Sequence, residues 1–205
     1  MNIIIRDLGL CHWMNIEKRM KKFTQNRNKN TIDELWFLEH YPVFTYGASE
    51  KKYCVSHINN IPVFQSIRGG KITFHGPGQL IIYLLINLQR KKIKFYELVQ
   101  KIEVLIIQLL KFLNISAHTE EKWPGVYVKK KKICSLGFRI INGCSLHGLA
   151  LNIDMNLNPF KYINPCGNKD IIMTQIKDFN KNISIKEIKK IFIQKFCMFF
   201  NYILI

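Results

Sequence analysis

The stretch Arg68-Gly69-Gly70-Lys71-Ile72-Thr73-Phe74-His75-Gly76-Pro77-Gly78-Gln79 places two glycine pairs, an arginine and a histidine directly before an apolar run, Leu80 to Leu88. Glycines admit close backbone approach to a ligand, and Pro77 between two glycines forces a sharp turn. A glycine-rich loop that carries Arg68 and His75 and feeds a buried strand is how binding sites are commonly built, although the spacing alone also allows an ornate hairpin. Pro165-Cys166-Gly167 supplies a second candidate, because a cysteine in such a turn can expose its sulfur. A free thiol titrates near about 8.5, so a nucleophilic Cys166 needs a partner cation or base. Taken alone, a cysteine is more often inert and buried. Lys129 to Lys132 form a run of four; the first three suit a solvated hairpin tip. Lys132 differs, since it borders the apolar Ile133-Cys134-Ser135-Leu136-Gly137 and is placed for acid/base work. His147-Gly148-Leu149-Ala150-Leu151-Asn152 offers a third wall, although a lone histidine on an apolar strand is more often structural.

The elements that must hold these groups follow from periodicity. Strands are expected at Asn2 to Arg6, Glu34 to Glu39, Ile61 to Gln65, Leu80 to Leu88 and Ser145 to Ile153. A hairpin is expected from Gly125 to Val128 and Lys132 to Leu136, with a further strand at Gly137 to Ile141. His12 to Thr24 has helical character, and the polar Gln25 to Asn30 after it is expected to be mobile. Phe95 to Asn114 is the clearest helix, with Leu98, Ile102, Leu105, Ile106, Leu109 and Leu113 on one face. Ile185 to Asn201 is expected to end the sequence as a helix capped by Ser184, with Glu187 completing a capping box. Strands, a long helix, more strands and a terminal helix describe an α+β (mixed α/β) fold, expected as one domain over residues 1–205.

Composition narrows the function classes. The 31 Lys+Arg against 14 Asp+Glu give a net charge of +17, which suits acidic partners, nucleic acid or an anionic surface. Only six arginines occur, none adjacent, and no zinc spacing is visible, so nucleic acid is not favoured. The lysines are scattered among isoleucines and asparagines, so part of the charge reads as compositional drift. The six cysteines (Cys11, Cys54, Cys134, Cys144, Cys166 and Cys197) contain no C-x-x-C pair; they suggest free thiols in a reducing cytoplasm and no metal site. Arg6 and Asp7 interrupt the short apolar start, so no signal peptide is read, and Ile191 to Ile205 suits a core helix better than a membrane span.

Four ordered motifs now combine: the loop at residues 68–79, Lys132-Ile-Cys-Ser-Leu-Gly-Phe-Arg139, His147 to Asn152, and Pro165-Cys-Gly167. With Glu39-His-Tyr-Pro-Val-Phe-Thr-Tyr-Gly47 and Trp123-Pro-Gly-Val-Tyr127, they resemble the octanoyl-(acyl-carrier-protein)–protein octanoyltransferases of lipoate biosynthesis over residues 33–178. The resemblance implies a biotin/lipoyl protein ligase-like catalytic domain, with a mixed sheet flanked by helices. It implies transfer of an octanoyl group from acyl carrier protein to a lysine of lipoyl domains, through a cysteine thioester and with no cofactor beyond the carrier's own phosphopantetheine. The acceptors implied are the lipoyl domains of 2-oxoacid dehydrogenase complexes and the glycine cleavage H protein, with a monomeric enzyme and no membrane or nucleic acid. By motif position, Cys166 matches the acyl-accepting cysteine and Lys132 the catalytic lysine. Arg68, Gly69, Gly70, Lys71, Ile72, Thr73, Phe74 and His75 match substrate-binding segments, as do Ser135, Leu136, Gly137, Gly148, Leu149 and Ala150. Ile72, Phe74, Leu136 and Leu149 are expected to wall the acyl slot, where six methylenes would contribute roughly 5 kcal/mol of gross transfer energy. The lipoate–protein ligases, which activate free acid with ATP, are the nearest alternative. Their three-glycine run and histidine-aspartate pair are absent here, where Lys71 follows Gly70 and Gly76 follows His75. A basic scaffold that binds acidic carriers without chemistry is the non-enzymatic alternative.

Overall fold

A computed structural model describes residues 1–50 and 55–205; Cys54 lies outside the described residues. Along the chain run β1 (Asn2–Cys11), α1 (Trp13–Gln25), β2 (Asp33–His40), β3 (Val43–Tyr46), β4 (His57–Ile58), β5 (Ile61–Gln65), β6 (Thr73–His75) and β7 (Gln79–Leu85). There follow α2 (Leu88–Lys91), α3 (Phe95–Phe112), β8 (His118–Thr119), β9 (Val126–Val128), β10 (Lys131–Ile141), β11 (Cys144–Asn152), β12 (Ile172–Met173), α4 (Ile185–Phe200) and β13 (Ile203–Leu204). Among the described residues the large mixed sheet has the order β13-β1-β2-β7-β11-β10-β9-β8, with β12 joined to β10. A small sheet runs β4-β5-β3-β6.

Every residue of β7 and β11 is buried, because the large sheet is covered on both faces. Alternation sorts the side chains. Leu35, Phe37, Leu80, Ile82 and Leu84 face α3 and α4, while Trp36, Leu38, Ile81, Tyr83 and Leu85 face α1. The α3 stripe is buried as its periodicity predicts, and Phe192, Phe196 and Phe200 of α4 pack beside it. Ser184 Oγ accepts from Glu187 N at 3.3 Å and Glu187 Oε2 accepts from Ser184 N at 2.9 Å, which closes the expected capping box.

Several expectations are corrected. The strand expected from Leu80 to Leu88 ends at Leu85; the Asn87 side chain accepts from Arg90 N at 2.9 Å and starts α2 at Leu88. Lys132 to Leu136 and Gly137 to Ile141 are one continuous strand, β10, paired along its length with β11. Within Gln25 to Asn30, the Arg27 side chain is buried, pairs with Asp33 and donates to Leu85 O at 2.7 Å. α3 ends at Phe112 and α4 at Phe200, where Asn201 takes the left-handed cap at φ 50°.

Candidate active site

Lys132 enters the site as a buried side chain near the start of β10, 1% exposed. Its Nζ donates to Pro124 O at 2.6 Å and lies 3.1 Å from Cys166 Sγ. The Tyr127 ring centroid is 5.5 Å from the same ammonium. Space for Lys132 depends on Gly125, at φ +141°: a Cβ there would stand 2.5 Å from Lys132 Cε and 3.0 Å from Nζ. Glu103 of α3 fixes this turn by accepting from Gly125 N at 3.2 Å; burial raises its carboxyl above the ordinary range, against the lowering effects of the Gly125 hydrogen bond and Lys132. Sequence reasoning passed over Glu103, whose signal was a carboxylate beside the apolar stripe at Ile102. By contrast Lys129, Lys130 and Lys131 are exposed, as a solvated tip requires.

Cys166 is half-buried in a single tight turn, Pro165–Gly167, with φ 55°. A left-handed non-glycine residue costs of order 1–3 kcal/mol and persists where its surroundings hold it. The hydrogen bond from Gly167 N to Asn164 O at 2.8 Å does part of that holding.

The loop of residues 68–75 roofs a pocket whose floor is β10, β11 and β7. The pocket holds a cavity of about 70 Å³. Arg68, Gly70, Lys71, Ile72, Thr73, His75, Lys132, Ser135, Leu136, Gly137, Gly148, Leu149, Ala150 and Cys166 all line it, joined by Trp13, Ile81, Tyr83, His147 and Pro165. Two expected residues do not. Gly69 is a roof strut, its N donating to Phe138 O at 2.8 Å. Phe74 points into the core under the small sheet, 5.3 Å from Phe44 and 5.6 Å from Phe160 between ring centroids. It therefore belongs to packing, because Thr73 and His75 take the pocket side of the short strand β6.

Arg68 is buried, yet its guanidinium reaches for protein oxygens: Thr45 O at 2.6 Å, Lys71 O at 2.8 Å, Gly69 O at 3.0 Å and Thr45 Oγ1. Burial brings its pKa down to about 10, so it stays a cation at neutral pH. It works as the rivet of the roof. Gly47 faces the same loop, and Gly47 N, Ala48 N and Ser49 N donate to Lys71 O, Arg68 O and Gly70 O. That explains the Glu39-to-Gly47 segment in the sequence pattern.

Tyr83 and His75 of the pocket wall are also paired with protein groups. Tyr83 Oη pairs with His40 Nε2 at 2.9 Å, and His75 Nδ1 with Gln79 Oε1 at 2.7 Å. Burial lowers His40 to about 4 and His147 to about 3, and pushes His75 well below the usual imidazole range; Arg68 adds to the lowering at His75 and His147. His147 Nε2 lies 3.5 Å from Glu17 Oε2, whose carboxyl burial raises. The pocket walls thus present mostly carbon, with polar chemistry gathered at its Lys132–Cys166 mouth.

Residues 14–197 match the lipoyl protein ligase A/B catalytic domain. The chain belongs to that family. It is 49% identical over 203 residues to a protein named octanoyltransferase from Buchnera aphidicola of Acyrthosiphon pisum, covering 99% of this chain and 96% of that one. It is 52% identical over 194 residues to the octanoyltransferase of Buchnera aphidicola of Baizongia pistaciae, covering 95% of each. Family membership makes the chain an acyltransferase and an enzyme of protein lipoylation. A solved lipoate-protein ligase A bound with ATP shares the fold at TM-score 0.77 and 14% identity, covering 100% of this chain and 88% of that one. The expected biotin/lipoyl ligase-like fold, a mixed sheet flanked by helices, is therefore observed. Among the described residues no helix is long and apolar enough to cross a membrane, and no group of three His, Cys, Asp or Glu side chains could hold a metal ion.

Proposed function

We propose that the enzyme moves an octanoyl group from an acyl carrier protein to a lysine of a lipoyl domain by way of a Cys166 thioester. The observation that carries this reading is the 3.1 Å contact between Lys132 Nζ and Cys166 Sγ at the mouth of a carbon-walled pocket. The lysine ammonium favours the thiolate. Cys166 Sγ attacks the thioester carbonyl carbon and forms a new C–S bond as the bond to the carrier's sulfur breaks. The departing thiolate takes a proton from Lys132, which leaves a neutral amine in the site. The acceptor lysine of the lipoyl domain, ordinarily near about 10.4, must lose a proton to attack. Two protons leave that nitrogen: solvent takes the one whose loss frees the amine, and neutral Lys132 takes the second as the amide bond forms and the Cys166 thiolate departs. The cycle closes with the ammonium–thiolate pair restored, and consumes neither ATP nor metal because the thioester arrives activated.

The Pro-Cys-Gly turn favours this thioester route over acyl-adenylate chemistry, and Arg68 is engaged by backbone oxygens. The test is intact mass spectrometry after incubation with octanoyl-carrier protein. One octanoyl adduct should appear on the wild type and vanish in Cys166→Ala, while Cys11→Ala and Cys197→Ala retain it. Amide product formed with no adduct at any time would refute the covalent route.

A further inference from the structure

The pocket floor has a direction. Ser135 of β10 stands opposite Ala150 of β11, and Ala150 opposite Ile81 of β7. One row along, Gly137 stands opposite Gly148, and Gly148 opposite Tyr83. All six residues line the pocket. Lys132 and Cys166 mark the β10 end. At the β7 end the same face of the sheet is closed by α1, whose Ile16 and Met20 cover Trp36 and Leu38. Trp13, the first residue of α1, is the part of that helix that reaches the pocket, and it is 6% exposed.

The width of this floor is close to the length of an eight-carbon chain. Neighbouring strands are about 4.8 Å apart, so crossing from β10 to β7 takes roughly 10 Å. A staggered hydrocarbon advances about 1.3 Å per C–C bond, which puts the eighth carbon of an extended acyl chain about 9 Å from the first. Trp13 is braced at the α1 side of the pocket: its ring stacks on Phe64 of the small sheet, 5.6 Å between centroids and 12° from parallel. Behind it lies a second cleft walled by Pro42, Val43, Pro62 and Phe64. Trp13 is the one residue common to both walls among the described residues.

We propose that Trp13 is the chain-length stop of this acyltransferase, a partition that ends the acyl pocket after eight carbons and separates it from an apolar cleft that longer chains would otherwise enter. This inference rests on the octanoyl-transfer reading above. Removing the indole joins the two spaces and gives the terminal carbons of a longer chain an apolar exit.

The experiment compares kcat/KM for octanoyl- and dodecanoyl-carrier protein with the wild type, Trp13→Ala and Trp13→Leu, with melting curves to verify folding. The wild type should prefer octanoyl strongly, and Trp13→Ala should raise the dodecanoyl-to-octanoyl ratio on the order of tenfold or more, since pockets discriminate single methylenes by 10-fold or more. Trp13→Leu should shift the ratio in the same direction by less. A wild type that takes both chains equally overturns the proposal with no variant required, as does an unmoved ratio in either folded variant. A wild type that transfers no octanoyl at all would instead refute the proposed function, so the two failures are distinguishable.

Discussion

Gly125→Ala tests whether the lysine–cysteine contact is set by the turn that faces it. The new Cβ would lie 2.5 Å from Lys132 Cε, where an ordinary carbon contact is about 3.5–4.0 Å. It would also lie 2.6 Å from the Cys134 carbonyl oxygen, so both the turn and the lysine tip must shift; a retreat of the tip by about 1 Å lengthens its 3.1 Å approach to Cys166 Sγ to about 4.1 Å. At an effective dielectric constant of about 20, the ammonium–thiolate attraction falls from about 5.4 to about 4.1 kcal/mol. A loss of about 1.3 kcal/mol corresponds to roughly tenfold in the population of the reactive pair. The backbone at φ +141° adds strain of order 1–3 kcal/mol to the folded state. Quenched-flow mass spectrometry of the acylation burst reads the first effect, and a urea midpoint reads the second. We expect a burst at least tenfold slower, in a protein that is less stable yet folded at 25 °C. A folded Gly125→Ala enzyme whose burst stays within twofold of wild type would refute the reasoning, because Lys132 would then reach Cys166 by a path that does not pass Gly125.

Lys132→Arg keeps a cation but supplies no base near neutral pH; octanoyl-enzyme should accumulate with little amide formed, and normal turnover would move the proton transfer to another group. Alanine at Lys129, Lys130 or Lys131 should be nearly silent, since those side chains are exposed, and damage equal to that at Lys132 would refute the assignment. Docking of two acidic proteins onto a +17 surface predicts that kcat/KM falls between about 20 and 300 mM salt; a flat profile would assign the excess lysines to compositional drift. Phe74→Ala should cost about 3–5 kcal/mol by opening a core cavity, read as a lowered melting temperature, while KM for the octanoyl thioester changes little. His40 and His147, lowered to about 4 and about 3, stay neutral in the folded protein while the unfolded chain protonates them near about 6.5. Their contribution is complete above that value and is lost as pH falls toward the folded values, so stability should decline by about 1.4 kcal/mol per unit per histidine below about pH 6; replacing His40 with Gln should flatten part of that slope.

The sequence made legible what repeats locally. The α3 stripe, the α4 capping box and β5 all emerge where periodicity and capping chemistry place them. The over-long strand expected through Leu88 fails because apolar residues continue past the turn, whereas the turn is set by a distant partner: Asn87 N donates to Asp33 Oδ1 at 2.9 Å. Motif spacing likewise isolated Cys166 and Lys132, but not the groups that hold them. Glu103 and Trp13 lie on helices far from the motifs in sequence. A hint was present in α1, where Glu17 sits in an otherwise apolar stripe with Trp13, Ile16 and Met20. Phe74 and Ile72 are two positions apart and look equivalent in sequence. Both touch the core under the small sheet, but only Ile72, just before the start of β6 at Thr73, also lines the pocket.

The choice of Lys132 as the proposed base also follows from what its neighbours are unable to do. His75 and His147 both line the pocket, and either would be the ordinary residue for proton transfer near neutral pH. Each is buried with the Arg68 cation nearby, and both influences oppose formation of an imidazolium. With His147 brought down to about 3, its affinity for a proton is weaker than that of a free imidazole by about a thousandfold or more. Burial lifts the Cys134 thiol to about 12 and raises the Tyr127 phenol, so neither offers an anion at neutral pH. Arg68 remains protonated and is engaged by carbonyl oxygens. A mobile proton at the mouth of the pocket therefore needs a group within reach of the sulfur that can both hold and release it. Lys132 Nζ, between Pro124 O and Cys166 Sγ, has that position, and the departure of the carrier's thiolate supplies the event that empties it for the second half of the cycle.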